Sequence, residues 1–269
     1  MKAMIFAAGL GTRLKPITDT MPKALVPVCG QPLLYHVITK LVSAGYDDLI
    51  VNVHHFPDRI IHYLHTHDFG ARIAVSDERD FLRETGGGIR YAQSLLLDNE
   101  IPGQAGNDGR SRHGRPDRPS LQEPFLVHNV DIVSNLDLKW LREQHREGAL
   151  ATVVVSERKT QRYLLFDDDG RLKGWTNIAT GEVRSPYPDI DPDQYRKLAF
   201  AGIHLISPAI FAAFDRYGFG DRFSIMDFYL RACADHPIYA AVPPDFRMVD
   251  VGKKETLSEA ERVCESILR

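Results

Sequence analysis

Nowhere in the chain is there an apolar run approaching the roughly 20 residues that cross a bilayer. The apolar opening from Ala3 to Ala8 also lacks the cleavage region of a signal peptide. A cytoplasmic protein with no membrane partner is expected. An excess of basic charge is missing too, because 33 Lys and Arg face 36 Asp and Glu for a formal net charge of -3. Such a balance gives no broad cationic surface for a polynucleotide backbone, so nucleic acid is not an expected partner. Cysteine is scarce. Cys29, Cys233 and Cys264 are odd in number and widely spaced, which fits neither a disulfide framework nor a zinc ribbon, and reduced thiols are expected.

What is present is alternation. Met4 to Ala8 reads as a strand that ends in Gly9-Leu10-Gly11, and Leu33 to Ala44 carries apolar residues at helical spacing with Gly45 as its stop. Strands at Leu49 to Val53, Arg72 to Val75, Phe125 to Val130 and Ala151 to Val155 alternate with helices ending at Leu64, over Gly88 to Leu97 and over Leu138 to His145. Such alternation predicts an α/β fold, a mostly parallel sheet with helices on both faces, over residues 1–155. Beyond it, Asp167-Asp168-Asp169-Gly170 separates two strand-like runs, Arg162 to Phe166 and Arg171 to Trp175. That is a hairpin turn, since the ligand spacing of a calcium loop is absent. Further strands near Leu198 to Leu205 and Phe246 to Val251, with helices at Pro208 to Phe214, Ser224 to Ala232 and Lys254 to Leu268, make 156–269 a mixed α+β half. The two halves are expected to form one domain, 1–269. Asp98 to Pro124 stands apart, with four Gly, four Pro and four Arg among its 27 residues, and reads as a flexible surface insertion.

The strongest chemical signal is Ala7-Ala8-Gly9-Leu10-Gly11-Thr12-Arg13-Leu14, followed by Pro22-Lys23-Ala24-Leu25. Glycines let backbone N–H groups approach phosphate oxygens, and the two cations can neutralise a polyphosphate. A dinucleotide fingerprint needs a small residue where Leu14 stands and an acid after the Leu49 to Val53 strand; a Walker loop needs Gly-Lys-Ser/Thr. Neither pattern occurs.

This motif resembles the signature of the sugar-1-phosphate nucleotidyltransferases, and the resemblance extends over nearly the whole chain apart from 98–124. It implies a Rossmann-like three-layer core with an appended sugar-binding half, and a nucleoside triphosphate and a sugar 1-phosphate as substrates. Carried over, Ala8, Gly9, Gly11 and Thr12 cradle the triphosphate, Arg13 meets its β and γ phosphates, and Lys23 supports the α-phosphate and the transition state. Asp131 and Asp250, each at the carboxyl end of a predicted strand, where open sheets place ligands, become the magnesium (Mg2+) site. Taken singly, either aspartate is also a helix cap. The sequence departs from the family in carrying Val130 where glycine usually precedes the first aspartate. Glu84, Thr85, Gly86 and Gly87 resemble the turn that reads the base, Gly202 the glycine lining the sugar pocket, and Asn129 a hydrogen-bond partner of the sugar. The Glu-Lys-Pro that grips the sugar phosphate in many members is missing. Arg162 and Lys173 are the nearest cations, and Arg162 is the expected substitute.

Within the family, the Glu-Thr-Gly-Gly-Gly turn and the lack of a C-terminal repeat domain look most like N-acetylmuramate-1-phosphate uridylyltransferases, with mannose- or heptose-1-phosphate guanylyltransferases close behind. A non-catalytic sugar-nucleotide sensor on the same fold is the contrasting reading. Loss of Lys23, Asp131 or Asp250 would have marked it, and all three are present. The dense histidines His54, His55, His62, His65 and His67 lack the spacing of a helical zinc motif and read as a polar face. Replacing 98–124 with a short Gly/Ser linker is expected to preserve turnover and thermal stability. A collapse of either in a melting or activity assay would show that the segment packs on the core.

Overall fold

The computed structural model describes residues 1–97 and 123–268, with side chains described as far as Arg262. All but the last two residues of the expected insertion lie outside this range. The chain runs β1 (Lys2–Phe6), β2 (Pro27–Val28), β3 (Gln31–Pro32), α1 (Leu33–Ser43), β4 (Asp48–Val53), α2 (Pro57–Thr66), β5 (Arg72–Asp77), α3 (Glu84–Tyr91), α4 (Gln93–Leu97), β6 (Phe125–Asn129), β7 (Ile132–Ser134), α5 (Leu138–Glu143) and β8 (Ala151–Ser156). It continues with β9 (Arg162–Phe166), β10 (Leu172–Asn177), β11 (Glu182–Arg184), β12 (Arg196–Ile206), α6 (Ile210–Arg216), α7 (Ile225–Ala232), β13 (Ile238–Ala241), β14 (Met248–Asp250) and α8 (Lys254–Leu268). Among the described residues no helix is long and apolar enough to cross a membrane.

Ten strands form one sheet, whose main path is β11-β10-β9-β12-β6-β1-β4-β5. The nucleotide half is parallel, with β1 between β4 and β6 and with β5 outermost. β12 then runs antiparallel to β6, β8 and β9, so one long strand carries the sheet into the second half. Successive side chains of a strand point to opposite faces. Ala3 and Ile5 accordingly join one apolar layer with α1 and α5, while Met4 joins the other with Ile89, Phe214 and Phe228 from α3, α6 and α7. This is the expected three-layer architecture, with the carboxyl ends of β1, β4 and β6 left open at one rim.

The structure departs from the sequence reading in three places. The Glu-Thr-Gly-Gly-Gly run is the first turn of α3, not a loop before a helix starting at Gly88. Five short strands, β2, β3, β7, β11 and β13, lack the length or alternation that would mark them. Cys29 is disulfide-bonded, while Cys233 is a buried free thiol. The expectation of three reduced thiols thus fails at Cys29, because the fold brings α8 back to the β2–β3 turn, where Cys29 N–H donates to Glu261 Oε2 at 3.0 Å. No spacing in the sequence signals that return.

Gly87 lies where α3 meets the segment before α7. A Cβ there would fall 2.3 Å from the carbonyl oxygen of Asp221, a backbone atom that cannot step aside alone. Alanine at a helical position normally adds about 1 kcal/mol over glycine, but overpacking costs about 1–3 kcal/mol and more against backbone. Gly87→Ala is therefore expected to lower stability in a denaturant titration. A gain in stability would show that this contact is not rigid.

Candidate active site

Beyond Phe6 the chain leaves the sheet, and the N–H groups of Ala7 and Ala8 lose strand partners. Both turn to the Asn52 Oδ1 on β4, at 2.7 and 3.2 Å. Gly9 is exposed with open space where a Cβ would be. Gly11 sits at φ +64°, in the left-handed region, and a Cβ there would lie 2.7 Å from the Thr18 Cγ2. Glycine is thus required by both conformation and space. The Thr18 hydroxyl donates to the Gly11 carbonyl at 2.8 Å, folding the loop back on itself. Buried Leu14 anchors it below, leaving Thr12 and Arg13 exposed on the outer side.

Lys23 emerges from the 3-10 turn Lys23–Leu25 and is only 9% exposed. Its ammonium donates to the Asp131 carboxylate. Asp131 follows β6, and Val130, the departure from the family pattern, buries its side chain in the core while its N–H donates to the Phe6 carbonyl at 3.2 Å. The carboxylate therefore stays at the rim. Antiparallel pairing of β7 with β14 sets Ile132 opposite Asp250, and Val251 N–H donates to the Asp131 carbonyl at 2.8 Å. The two aspartates, 119 positions apart in the sequence numbering (250 minus 131), are thus neighbours. Burial, then the nearby Asp131 charge, raises the Asp250 carboxyl above its ordinary value, against the pull of Lys23, Arg13 and Arg158. The Asp250 Oδ1 is buried without a hydrogen-bond partner. A hard divalent cation suits such a site, since magnesium takes one or two carboxylates together with phosphate oxygens. Among the described residues no group of three His, Cys, Asp or Glu gathers as a metal cage.

A cavity of about 440 Å³ opens beside this pair, lined by Arg13, Arg158, Thr160, Arg162, Leu164, Trp175, Phe200, Met226, Asp250, Lys253 and Thr256. Its floor is the antiparallel part of the sheet. Leu164 faces Trp175 across β9 and β10, and Arg162 lies two residues from Leu164 on the same face. Arg162 thus lines the same cavity as Arg13 and Asp250. Lys173 is not, being paired with Asp167 at 3.1 Å outside this lining. Arg158 and Lys253 were not anticipated. Arg158 follows β8 at its carboxyl end, the signal that singled out Asp131, and its guanidinium donates to the Phe200 carbonyl at 3.1 Å.

The α3 turn is engaged within the protein. The N–H groups of Gly86 and Gly87 donate to the Phe223 carbonyl at 2.9 and 3.2 Å, and the Thr85 hydroxyl accepts from Ile225 N–H at 2.9 Å. The Glu84 carboxylate accepts from Arg222 Nε at 3.1 Å. These contacts join α3 to the segment that leads into α7, while the Glu84 side chain remains 42% exposed. Gly202 packs against Asn129, which the sequence reading also assigned to the sugar site. It sits at φ +74° in a register shift of β12, and a Cβ there would lie 2.7 Å from Asn129 Nδ2. Its smallness admits the Asn129 side chain. His128, fully buried and pushed down to about 4 by burial, is neutral, and its Nδ1–H donates to the Asn129 carbonyl at 2.8 Å. Of the histidine cluster, His54 and His55 bond to the carbonyls of Glu78 and Thr18, while His62, His65 and His67 are exposed.

A glycine loop and two converging carboxylates at the rim of a three-layer sheet define an enzyme that handles nucleotide phosphates. Residues 2–166 match the model of the nucleotidyl transferase family, and the chain belongs to it. It is a sugar-1-phosphate nucleotidyltransferase, whose substrates are a nucleoside triphosphate and a sugar 1-phosphate. It is 30% identical to the N-acetylmuramate alpha-1-phosphate uridylyltransferase of Caulobacter vibrioides, over 96% of this chain and 95% of that protein. It is 31% identical to the mannose-1-phosphate guanylyltransferase catalytic subunit beta of Danio rerio, over 64% of this chain but only 43% of the longer relative. Among solved structures, HddC from Yersinia pseudotuberculosis complexed with GMP-PN superposes with a TM-score of 0.70 at 20% identity, covering 97% of this chain and 98% of that one.

Lys23→Ala and Arg13→Ala are expected to cut saturating turnover by roughly 10²-fold or more while affecting the KM for the sugar phosphate less. Near-normal steady-state turnover in both would overturn the loop assignment. Asp131→Asn and Asp250→Asn should fold, judged by melting curves, yet lose most activity at limiting magnesium. Wild-type turnover in both would remove the metal site.

Proposed function

We propose that the chain joins UTP to N-acetylmuramate 1-phosphate, releasing pyrophosphate. The observation that carries this reading is the charge of the cleft, where Arg13, Lys23, Arg158, Arg162 and Lys253 face two acids, Asp131 and Asp250. Among the described residues Arg13, Arg158, Arg162 and Lys253 form no ion pair within the protein. So many unpaired cations in one cavity suit substrates rich in negative charge, and N-acetylmuramate 1-phosphate bears a carboxylate besides its phosphate. The near full-length likeness to the Caulobacter uridylyltransferase supports the same choice.

A phosphate oxygen of the sugar 1-phosphate attacks the α-phosphorus, the new P–O bond forms, and the bond to the β-phosphate oxygen breaks. The nucleophile is already an anion, so no protein base is needed. The work of the residues is alignment and charge neutralisation. On this reading Arg13 holds the β and γ phosphates, Lys23 the α-phosphate, and Arg158 and Arg162 the sugar phosphate and carboxylate. The aromatic faces of Trp175 and Phe200 support the sugar, and Asn129 orients a hydroxyl. Asp131 and Asp250 would hold magnesium, which would supply positive charge to neutralise the phosphate oxygens.

Pyrophosphate release should be measured across the four triphosphates with N-acetylmuramate, N-acetylglucosamine, mannose and heptose 1-phosphates. The expected maximum is UTP with the acidic sugar, and Arg162→Gln should narrow its advantage over neutral sugars by about tenfold, the order of one charged hydrogen bond. Preference for GTP with a neutral sugar would replace this reading with that of a guanylyltransferase.

A further inference from the structure

Two polar side chains beneath the glycine loop take no part in the chemistry above, yet both are buried. Asn52, on β4, is 2% exposed and Glu78, just after β5, is 0% exposed. The Asn52 Oδ1 accepts from Ala7 and Ala8 N–H, and its Nδ2 donates to the Glu78 Oε1 at 2.8 Å. The other Glu78 oxygen accepts a longer bond, 3.4 Å, from Arg83 N–H at the entrance to α3. Gly88 closes the cluster from α3, where a Cβ would stand 3.0 Å from Glu78 Oε1 and 3.3 Å from Asn52 Nδ2. No cation pairs with this carboxylate among the described residues, and the Arg83 guanidinium bonds to Asp80 instead.

A buried acid without a counterion is costly, and a neutral side chain of the same shape would fill the space at less cost. What a carboxylate does that an amide does not is accept only. Facing it, the Asn52 amide has a single favourable orientation, with its NH2 toward Glu78 and its carbonyl oxygen toward the loop. An amide at position 78 would allow Asn52 to flip, setting a donor against the donors of Ala7 and Ala8. Burial raises the Glu78 carboxyl above its ordinary value, while the bonds from Asn52 and Arg83 pull it back.

We propose that Glu78 is a positioning residue for the nucleotide, which by fixing the Asn52 amide sets the Ala7–Ala8 turn that aims the glycine loop at the triphosphate. The link from Glu78 through Arg83 N–H and Gly88 ties α3 to the same turn, so the loop and the helix hold a constant spacing. This inference rests on the reading of residues 8–23 as the triphosphate cradle.

The test is the KM for UTP and for the sugar 1-phosphate, with kcat, in Glu78→Gln and in the double variant Asn52→Asp/Glu78→Gln. In the double variant the carboxylate now at position 52 accepts from the loop, while the amide now at position 78 donates to that carboxylate and accepts from Arg83 N–H. Each hydrogen bond is kept, with the charge moved from one side chain to the other. Glu78→Gln is expected to raise the UTP KM about tenfold while the sugar KM stays within about twofold, and the double variant to restore most of it. A wild-type UTP KM in Glu78→Gln, or an equal rise for both substrates that the double variant does not rescue, overturns the proposal. Arg13→Ala is the control. If it too leaves the UTP KM unchanged, the cradle reading has failed and the proposal falls with it; if it raises that KM while Glu78→Gln does not, only the proposal falls.

Discussion

The Lys23 ammonium and the Asp131 carboxylate are 108 residues apart in sequence and in direct contact in the fold. This nearly buried pair ties the loop after β1 to the end of β6, and the rest of the site is arranged around it. Removing one member of such a pair strands the other charge away from water, at about 3–5 kcal/mol. On the proposed reading a triphosphate oxygen would replace Asp131 as the partner of Lys23, and a divalent cation would replace Lys23 as the partner of Asp131.

The sheet joins this point to the rest of the cleft. Because β12 pairs with β6 at one stretch and with β9 at another, the carboxyl rim of the parallel strands continues onto an antiparallel floor. The register shift at Gly202 lies between those stretches, and it is there that Asn129 enters from β6. The phosphate apparatus and the aromatic platform of Phe200 and Trp175 are therefore parts of one continuous surface, not of two domains brought together.

Much of this was legible in the sequence, for reasons that differ by residue. Gly11, Arg13, Lys23, Asp131 and Asp250 stand out because phosphate and metal chemistry restrict residue type at fixed positions in a strand–loop pattern. Gly86 and Gly87 are ambiguous because a glycine that offers its N–H to a ligand and one that admits a neighbouring chain look alike in a sequence. Arg158 shares the strand-end position that singled out Asp131, but an arginine in a polar loop is ordinarily a solvated one, and the fold is what brings it beside Asp250. The polar pair Asn52 and Glu78 carries no signature at all, since its meaning depends on two strands and a helix meeting at one buried point.

The contact between α3 and Phe223 has a mechanical side. Arg83, Gly86 and Gly87 exchange backbone hydrogen bonds with Phe223, and Thr85 holds Ile225, so the nucleotide half and the sugar half are laced together along one short seam. Because the bonds to Phe223 are made by main-chain groups, the spacing of α3 and the segment before α7 is set by backbone and not by any one side chain.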